Sequence, residues 1–280
     1  APTVWAYAAL TVAMVAASRY VRANIRRRLI AVGLVAMVAL TGAALTQPAD
    51  LRYHQLAVGQ GDAALLMDGS MTAAIDVGPY GGEAAGRLLA ENRDVDALFL
   101  SHLHSDHAAG VAQLLAEGIV IRRAYLPFTA QDTAAGDEGY DTLTLLMQSG
   151  VPITYLAAGE VVPLREASVT VLWPEAGGAR AGREVNDSSM ATFIRLGDVR
   201  ILSMGDVSGR YERYVARPCD VLKVGHHGSA TGTGEVFLQV ARPTFALVTC
   251  RSDALLPSEE TLDRIATEGA QALRTDETGE

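Results

Sequence analysis

Three imidazoles and a carboxylate fall within one six-residue window, His102-Leu103-His104-Ser105-Asp106-His107, in a chain of 280 residues with only six histidines. The apolar run Asp96-Ala-Leu-Phe-Leu-Ser101 ahead of them reads as a short buried strand. The cluster then sits on the loop leaving the strand's carboxyl end, where open α/β sheets carry ligand sites. Imidazole and carboxylate are good donors to borderline divalent ions such as zinc or manganese. His102 and His104, two apart in extended chain, can chelate one ion. Asp106 and His107 are adjacent, so a turn must aim them at a different point. One ion per pair, hence a two-metal centre, is the economical expectation; the bland alternative is a polar loop with chance histidines.

Charge divides the chain. Residues 1–49 contain no Asp or Glu and five Arg, whereas residues 50–280 carry all 32 acidic side chains against 18 basic ones, a net charge of −14. So acidic a domain is a poor non-specific binder of nucleic acid, because phosphate affinity comes from basic surface. Thr3–Ser18 and Leu29–Thr46 are nearly continuous apolar runs. Each is about the minimum for a spanning helix, which takes roughly 17–25 residues. Arg19, Arg22, Arg26, Arg27 and Arg28 lie between them. The expectation is two transmembrane helices with a basic cytoplasmic loop over residues 1–47. The protein would then be multi-pass in the cell membrane, with its acidic domain on the extracytoplasmic side. A buried helical hairpin is the alternative, which the arginines make awkward. Without an initiator Met, a piece of a longer chain is expected rather than a signal peptide.

From Leu51 onward many short strands alternate with helices, the pattern of two sheets with helices outside. A helix is expected over Ala108–Glu117, and the last stretch from Ala272 reads as a strand cut short. Cys219 and Cys250 flank different strands and read as free thiols. Two further places offer strong ligands after an apolar strand: Asp206, behind Gly205, and the pair His226-His227. A carboxylate behind a glycine can approach an ion closely and bridge two. Asp76 also ends a strand before a glycine, and is expected to accept an N–H from a ligand histidine and fix its tautomer. His54 reads as structural. Lys223, the one lysine, is read equally as an anion contact or a strand-surface residue.

The order Asp76-Val-Gly, His-x-His-x-Asp-His, Gly-Asp206 and His226-His227-Gly resembles the metallo-β-lactamase fold superfamily. Val58-Gly-Gln-Gly-Asp62-Ala, Asn186-Asp187-Ser188-Ser189, Leu222-Lys223-Val-Gly-His226-His227-Gly-Ser229 and Arg274–Gly279 look, more narrowly, like the carboxy-terminal domain of ComEC-type DNA-uptake channel proteins, across residues 51–280. The resemblance implies an α/β (α+β) fold, an αββα sandwich, and a hydrolase with two divalent ions. His102 and His104 would hold one ion. Asp106, His107 and His227 would hold the other, with Asp206 bridging. Asp106, His226 and His227 carry the catalytic expectation, with Asp62 and Asp76 behind the ligands. Asn186, Ser188, Ser189 and Ser229 would meet the phosphate. The implied role is cleavage of the single DNA strand that is not imported, with the membrane and other parts of the channel as partners. Two departures stand out. Asn186-Asp187 occupies the place where β-lactamases supply a third His. Leu255-Leu256-Pro257 stands where relatives usually carry Gly-His-Pro, and looks closer to surface phosphocholine esterases. Phosphocholine cleavage and a mainly structural metal-binding domain are the rival readings.

Overall fold

The computed structural model describes residues 2–17, 23–45, 50–177 and 184–279. The chain divides into two units, Ala1–Ala49 and Asp50–Glu280. In the first, helices Pro2–Ala17 and Ala23–Leu45 approach so closely that a Cβ on Gly33 would lie 2.7 Å from Val12 Cγ2. Among the described residues no helix is long and apolar enough to cross a membrane, which corrects the expectation of two spanning helices. The first helix has 16 residues. At 1.5 Å each that is about 24 Å, short of a hydrocarbon core about 30 Å thick. The second has 23, but Arg26, Arg27 and Arg28 occupy three of its first six positions. Arg19 and Arg22 of the proposed basic loop lie outside the described residues.

Among the described residues of the second unit, thirteen strands form two sheets. The first takes β1 (Leu51–Gln55), β2 (Ala63–Asp68), β3 (Met71–Val77), β4 (Ala97–Phe99), β5 (Ala124–Pro127) and β6 (Ile153–Leu156), side by side in chain order. The second takes β7 (Val161–Pro163), β8 (Ala167–Trp173), β9 (Ala191–Leu196), β10 (Val199–Ser203), β11 (Val221–Lys223), β12 (Phe245–Val248) and β13 (Gln271–Arg274), also in chain order. Each sheet begins antiparallel, as far as β3 and β10, and continues parallel. Tight turns serve the hairpins; Gly69 and Gly197 supply the positive φ they need. Parallel neighbours need crossovers, and the helices Gly82–Ala90, Tyr140–Gln148, Glu235–Ala241 and Glu259–Thr267 lie in them.

Alternation along the strands assigns the layers. Ala64, Leu66, Ala73, Ile75 and Phe99 of the first sheet pack with Val169, Val171, Ile194 and Ile201 of the second. Their neighbours Leu65, Met67, Ala74 and Leu98 face the other way, onto Leu88, Val111, Leu114 and Leu146 of the helices. Leu202, Leu222, Ala246 and Val248 do the same for Phe237, Leu238 and Ile265. The result is the αββα order expected. Pairs of short apolar runs with period two could be read from the residues; strand β7 could not, because Val161-Val162-Pro163 is too short to show a period.

Two other expectations need correction. The helix expected over Ala108–Glu117 is broken into Ser105–Ala108 and Val111–Ala116. Gly110 lies at the break, so close to β3 that a Cβ would stand 2.3 Å from the Val77 carbonyl oxygen. The last residues form β13 and then a helical turn, Thr275–Thr278. Thr275 Oγ1 accepts the Cys250 N–H at 3.1 Å, which draws the chain back over β12.

Cys219 and Cys250 are free and buried. Burial, with Asp220 beside it, pushes the Cys219 thiol up to about 12. Burial and Asp276 raise Cys250 as well. Thiolate, not thiol, is the nucleophile. A disulfide reagent at pH 8 should therefore label neither cysteine in the native protein and both in denaturant; rapid labelling of the native chain would contradict this burial.

Candidate metal centre

The carboxyl ends of five strands meet at one rim. β3 delivers Asp76, β4 the segment His102–His107, β10 Asp206, β11 the loop with His226 and His227, and β12 Thr249. Local geometry forces these side chains inward. Gly205, at φ 53°, passes so close to Ser101 and Ser189 that a Cβ would sit 3.0 Å from each of theirs. A larger residue there would push Asp206 off the rim. His226 and His227 both adopt positive φ, 47° and 51°, so the chain turns sharply enough for adjacent imidazoles to serve different directions.

The histidine protons are held from behind. Asp76 accepts the Ser101 N–H at 2.7 Å and the Ser101 hydroxyl at 2.8 Å, and His107 Nδ1 lies 2.8 Å from its Oδ2. A carboxylate only accepts, so His107 carries its proton on Nδ1. The Ser101 oxygen, having donated its own proton, accepts from His102 Nδ1 at 3.1 Å. Across the rim, Thr249 donates its hydroxyl to Asp62 and accepts from His227 Nδ1 at 3.1 Å. Asp62 in turn is ion-paired with the buried Lys223. Three rings thus spend their Nδ1 protons outward, which leaves three Nε2 lone pairs facing the centre.

What they face are more acceptors. Asp206 Oδ1 lies 3.2 Å from His107 Nε2 and 3.9 Å from His227 Nε2. Its Oδ2 lies 3.9 Å from His102 Nε2 and 3.8 Å from His226 Nε2. Asp106 Oδ2 stands 3.3 Å from His227 Nε2. The atoms His102 Nε2, His107 Nε2 and Asp206 Oδ1 are buried with no hydrogen-bond partner. A ring of buried acceptors with no donor between them is costly on its own and suits a cation. Asp106, His107, Asp206 and His227 bring their ligand atoms within 4.8 Å of one another, and so do His102, His104 and Asp106. The residues present therefore fit two divalent ions, with Asp206 between the sets.

The field agrees. Burial works against charge on His107, yet Asp206 and Asp76 outweigh it and raise its pKa well above the ordinary range, so His107 Nε2 takes either a second proton or, in its place, a cation. Burial and the neighbouring His107 lower His102 well below it, which keeps the Nε2 lone pair free. Burial opposes ionisation of Asp106, but His227, 3.3 Å away, and the His107 charge bring it down to about 2. Burial opposes Asp206 likewise, and His107, His102 and His227 hold it well below the usual carboxylate range.

The structure brings together His102, His104, Asp106, His107, Asp206, His226 and His227, with Asp76 and Asp62 behind them. The proposed phosphate contacts fare differently. Ser188 lines a cleft beside His102 together with Leu103, Thr129 and Glu138. Ser189 is fully buried behind Gly205 and is no substrate contact, which corrects that expectation. Ser229 is half-buried and bonds to Thr231, and Asn186 is half-buried between the cleft residues Val185 and Ser188. Lys223 is neither an anion contact nor a surface residue; at 2 % exposure it anchors Asp62 from inside the sheet. Ser101 and Thr249 were missed. Each directly follows or lies two past a strand at the same rim, a positional signal, but hydroxyl residues there are too common to single out.

A model of the metallo-beta-lactamase superfamily matches residues 56–249. ComE operon protein 3 of Bacillus subtilis is 28% identical over 194 residues, 67% of this chain and 24% of that protein. Recombination protein 2 of Haemophilus influenzae is 27% identical over 237 residues, 81% of this chain and 27% of that protein. The chain spans about a quarter of the length of these two relatives. Among solved structures, the metallo-beta-lactamase fold protein YhfI from Bacillus subtilis superposes with a TM-score of 0.54 at 13% identity, over 79% of this chain and 95% of that one, a likeness of fold. With the matched segment running from the end of β1 to Thr249 and so spanning the whole donor cluster, the chain belongs to the metallo-beta-lactamase superfamily, as a metal-dependent hydrolase of that fold.

Proposed function

We propose that the chain hydrolyses phosphodiesters, as the nuclease domain of a DNA-uptake protein acting on the single strand that is not imported. The observation that carries the hydrolytic part is Asp206, whose two oxygens face separate histidine sets. Motif resemblance to DNA-uptake channel proteins, and similarity to ComE operon protein 3 and Recombination protein 2, support DNA as substrate and other channel segments as partners.

When bound, two divalent cations supply Lewis acidity toward a phosphoryl oxygen and an attacking water. His102 and His104 would hold one, Asp106, His107 and His227 the other, and Asp206 both. Around them, the protein's own groups divide the work. Asp106 stays ionised through the neutral range, its pKa being about 2. His226, with a third of its side chain exposed at the rim, is the imidazole placed to give a proton to the leaving oxygen. Ser188, whose buried hydroxyl has no partner, can donate to a phosphate in the cleft beside His102. The layered sheets behind the rim keep water from Asp62, Lys223 and Thr249.

A second reading has its own support. The excess of 14 negative charges in residues 50–280 repels a polyanion and suits a substrate with a cationic end, such as phosphocholine on envelope polymers. Incubation of the metal-loaded protein with single-stranded DNA, duplex DNA, a phosphocholine ester and a small chromogenic phosphodiester separates the two. The nuclease reading expects single-stranded DNA to be cut, and Asp106→Ala to reduce cutting at least about 100-fold, since even outer partners of a metal ligand are worth 10–100-fold. Turnover of the small esters with intact DNA would replace it by the esterase reading. Tight metal binding with no turnover of any of them would leave a structural role.

A further inference from the structure

We propose that Glu138 is the carboxylate that completes the donor set of His102 and His104. The inference rests on the two-cation reading and adds a residue to it. Relative to β-lactamases, this first site lacks its third histidine, and Asp187, which stands there in the sequence, is committed elsewhere. Its Oδ1 accepts the Ser208 hydroxyl at 2.5 Å, and its main-chain oxygen accepts the Trp173 indole N–H at 2.7 Å. Asp187, like Glu138, belongs to none of the three groups of converging donors among the described residues; what separates the two is where their oxygens point.

Glu138 comes from the opposite wall. Its Oε1 accepts the Ser105 N–H at 3.0 Å, which anchors the carboxylate, and its Oε2 lies 3.8 Å from His104 Nε2. One oxygen is held while the other is aimed, the arrangement expected of a carboxylate ligand whose orientation is fixed from outside. Glu138 and His102 line the same cleft. His102 is 2 % exposed, and its Nε2 has no partner; Ser188 in the same wall is 4 % exposed, and its hydroxyl has none either. The cleft thus already contains buried polar atoms that call for a ligand.

The approach is built into the chain. Gly139 has φ 83°, and a Cβ on it would lie 2.3 Å from Leu103 Cβ and 2.4 Å from the Leu103 oxygen. Leu103 is the residue between the two histidines. Only glycine lets this loop press against that point, and the next residue back is Glu138. A role limited to capping the turn Ser105–Ala108 would explain the Ser105 contact but not the second oxygen facing His104.

Isosteric replacement separates the two roles, because the amide of Glu138→Gln keeps an oxygen for Ser105 and loses the anionic donor. The readout is manganese or zinc bound per 280-residue chain after desalting, with affinities from calorimetric titration. Wild type should retain two equivalents. Glu138→Gln and Glu138→Ala should weaken one of them at least about 10-fold, so that retention falls toward one. Gly139→Ala, which keeps the carboxylate but pushes the loop away, should give the same loss. Melting in chelator should match wild type for Glu138→Gln, which keeps misfolding out of the comparison. Two equivalents bound with unchanged affinities in both Glu138 variants would overturn the inference and leave the two-cation reading standing. A wild type with one equivalent, unaffected by His102→Ala, would overturn it too, and a wild type with none would overturn both.

Discussion

Asp206→Ala should lower hydrolysis on the order of 1,000-fold, more than the 10–100-fold typical of an outer partner, because this one residue faces both donor sets. Each of its oxygens has two imidazoles within 3.9 Å. Its loss removes the carboxylate that, among the described residues, reaches His102, His107, His226 and His227 together. The effect should also be visible without turnover. A ligand that binds only the folded state stabilises it by mass action, so wild-type melting should rise with added manganese or zinc. The Asp206→Ala protein should show little of that rise. A variant that keeps both the activity and the metal-dependent rise would remove Asp206 from the centre. Asp206→Asn is the milder companion, with the same shape and one anionic oxygen fewer.

Lys223→Met should be the most destabilising change that touches no ligand directly. Lys223 is buried and paired with Asp62, itself buried, which bonds to Thr249 and lies 3.6 Å from His227 Nδ1 and 3.7 Å from His107 Nδ1. Burial opposes the charge on Asp62, and Lys223, with His227 and His107, holds its carboxyl below the usual range. Removing one member of a buried pair leaves the other uncompensated, a loss of about 3–5 kcal/mol. For a domain of this size that is on the order of 10 °C in melting temperature. The double change Lys223→Met with Asp62→Asn should recover much of it, because no bare charge remains. Equal losses in the single and double variants would show that Lys223 contributes packing alone. The sign with pH follows from the depressed Asp62: its contribution is present above the ordinary carboxylate pKa and is lost as acid protonates it.

Much of this centre could be read from spacing. The window His102–His107 follows an apolar run, and strands that end in ligand-type residues recur at Asp76, Asp206 and His226-His227. These signals are local, so each is visible within about ten residues. What escaped is non-local. Lys223 reads as ambiguous because nothing near it reveals Asp62, which lies in the loop just before β2, far back in the chain. Thr249 and Ser101 are ordinary hydroxyl residues until the histidine tautomers need an acceptor behind them. Ser189 looks like a phosphate contact in its run of polar residues, yet Gly205 closes over it. Glu138 lies in a polar loop whose only sign is the following Gly139, and the reason for that glycine is the Leu103 backbone. The helices at the amino end show the opposite failure: composition suggested two spans, and length and the position of Arg26–Arg28 tell against them.

The central claim is that separate stretches of this chain gather around two cations. Anomalous diffraction from crystals of the full chain grown with manganese or zinc tests it most directly. The account predicts two peaks, one beside His102 and His104 and one beside Asp106, His107 and His227, with Asp206 in contact with both. Crystals showing no peak at this rim, or peaks confined to surface carboxylates, would contradict it.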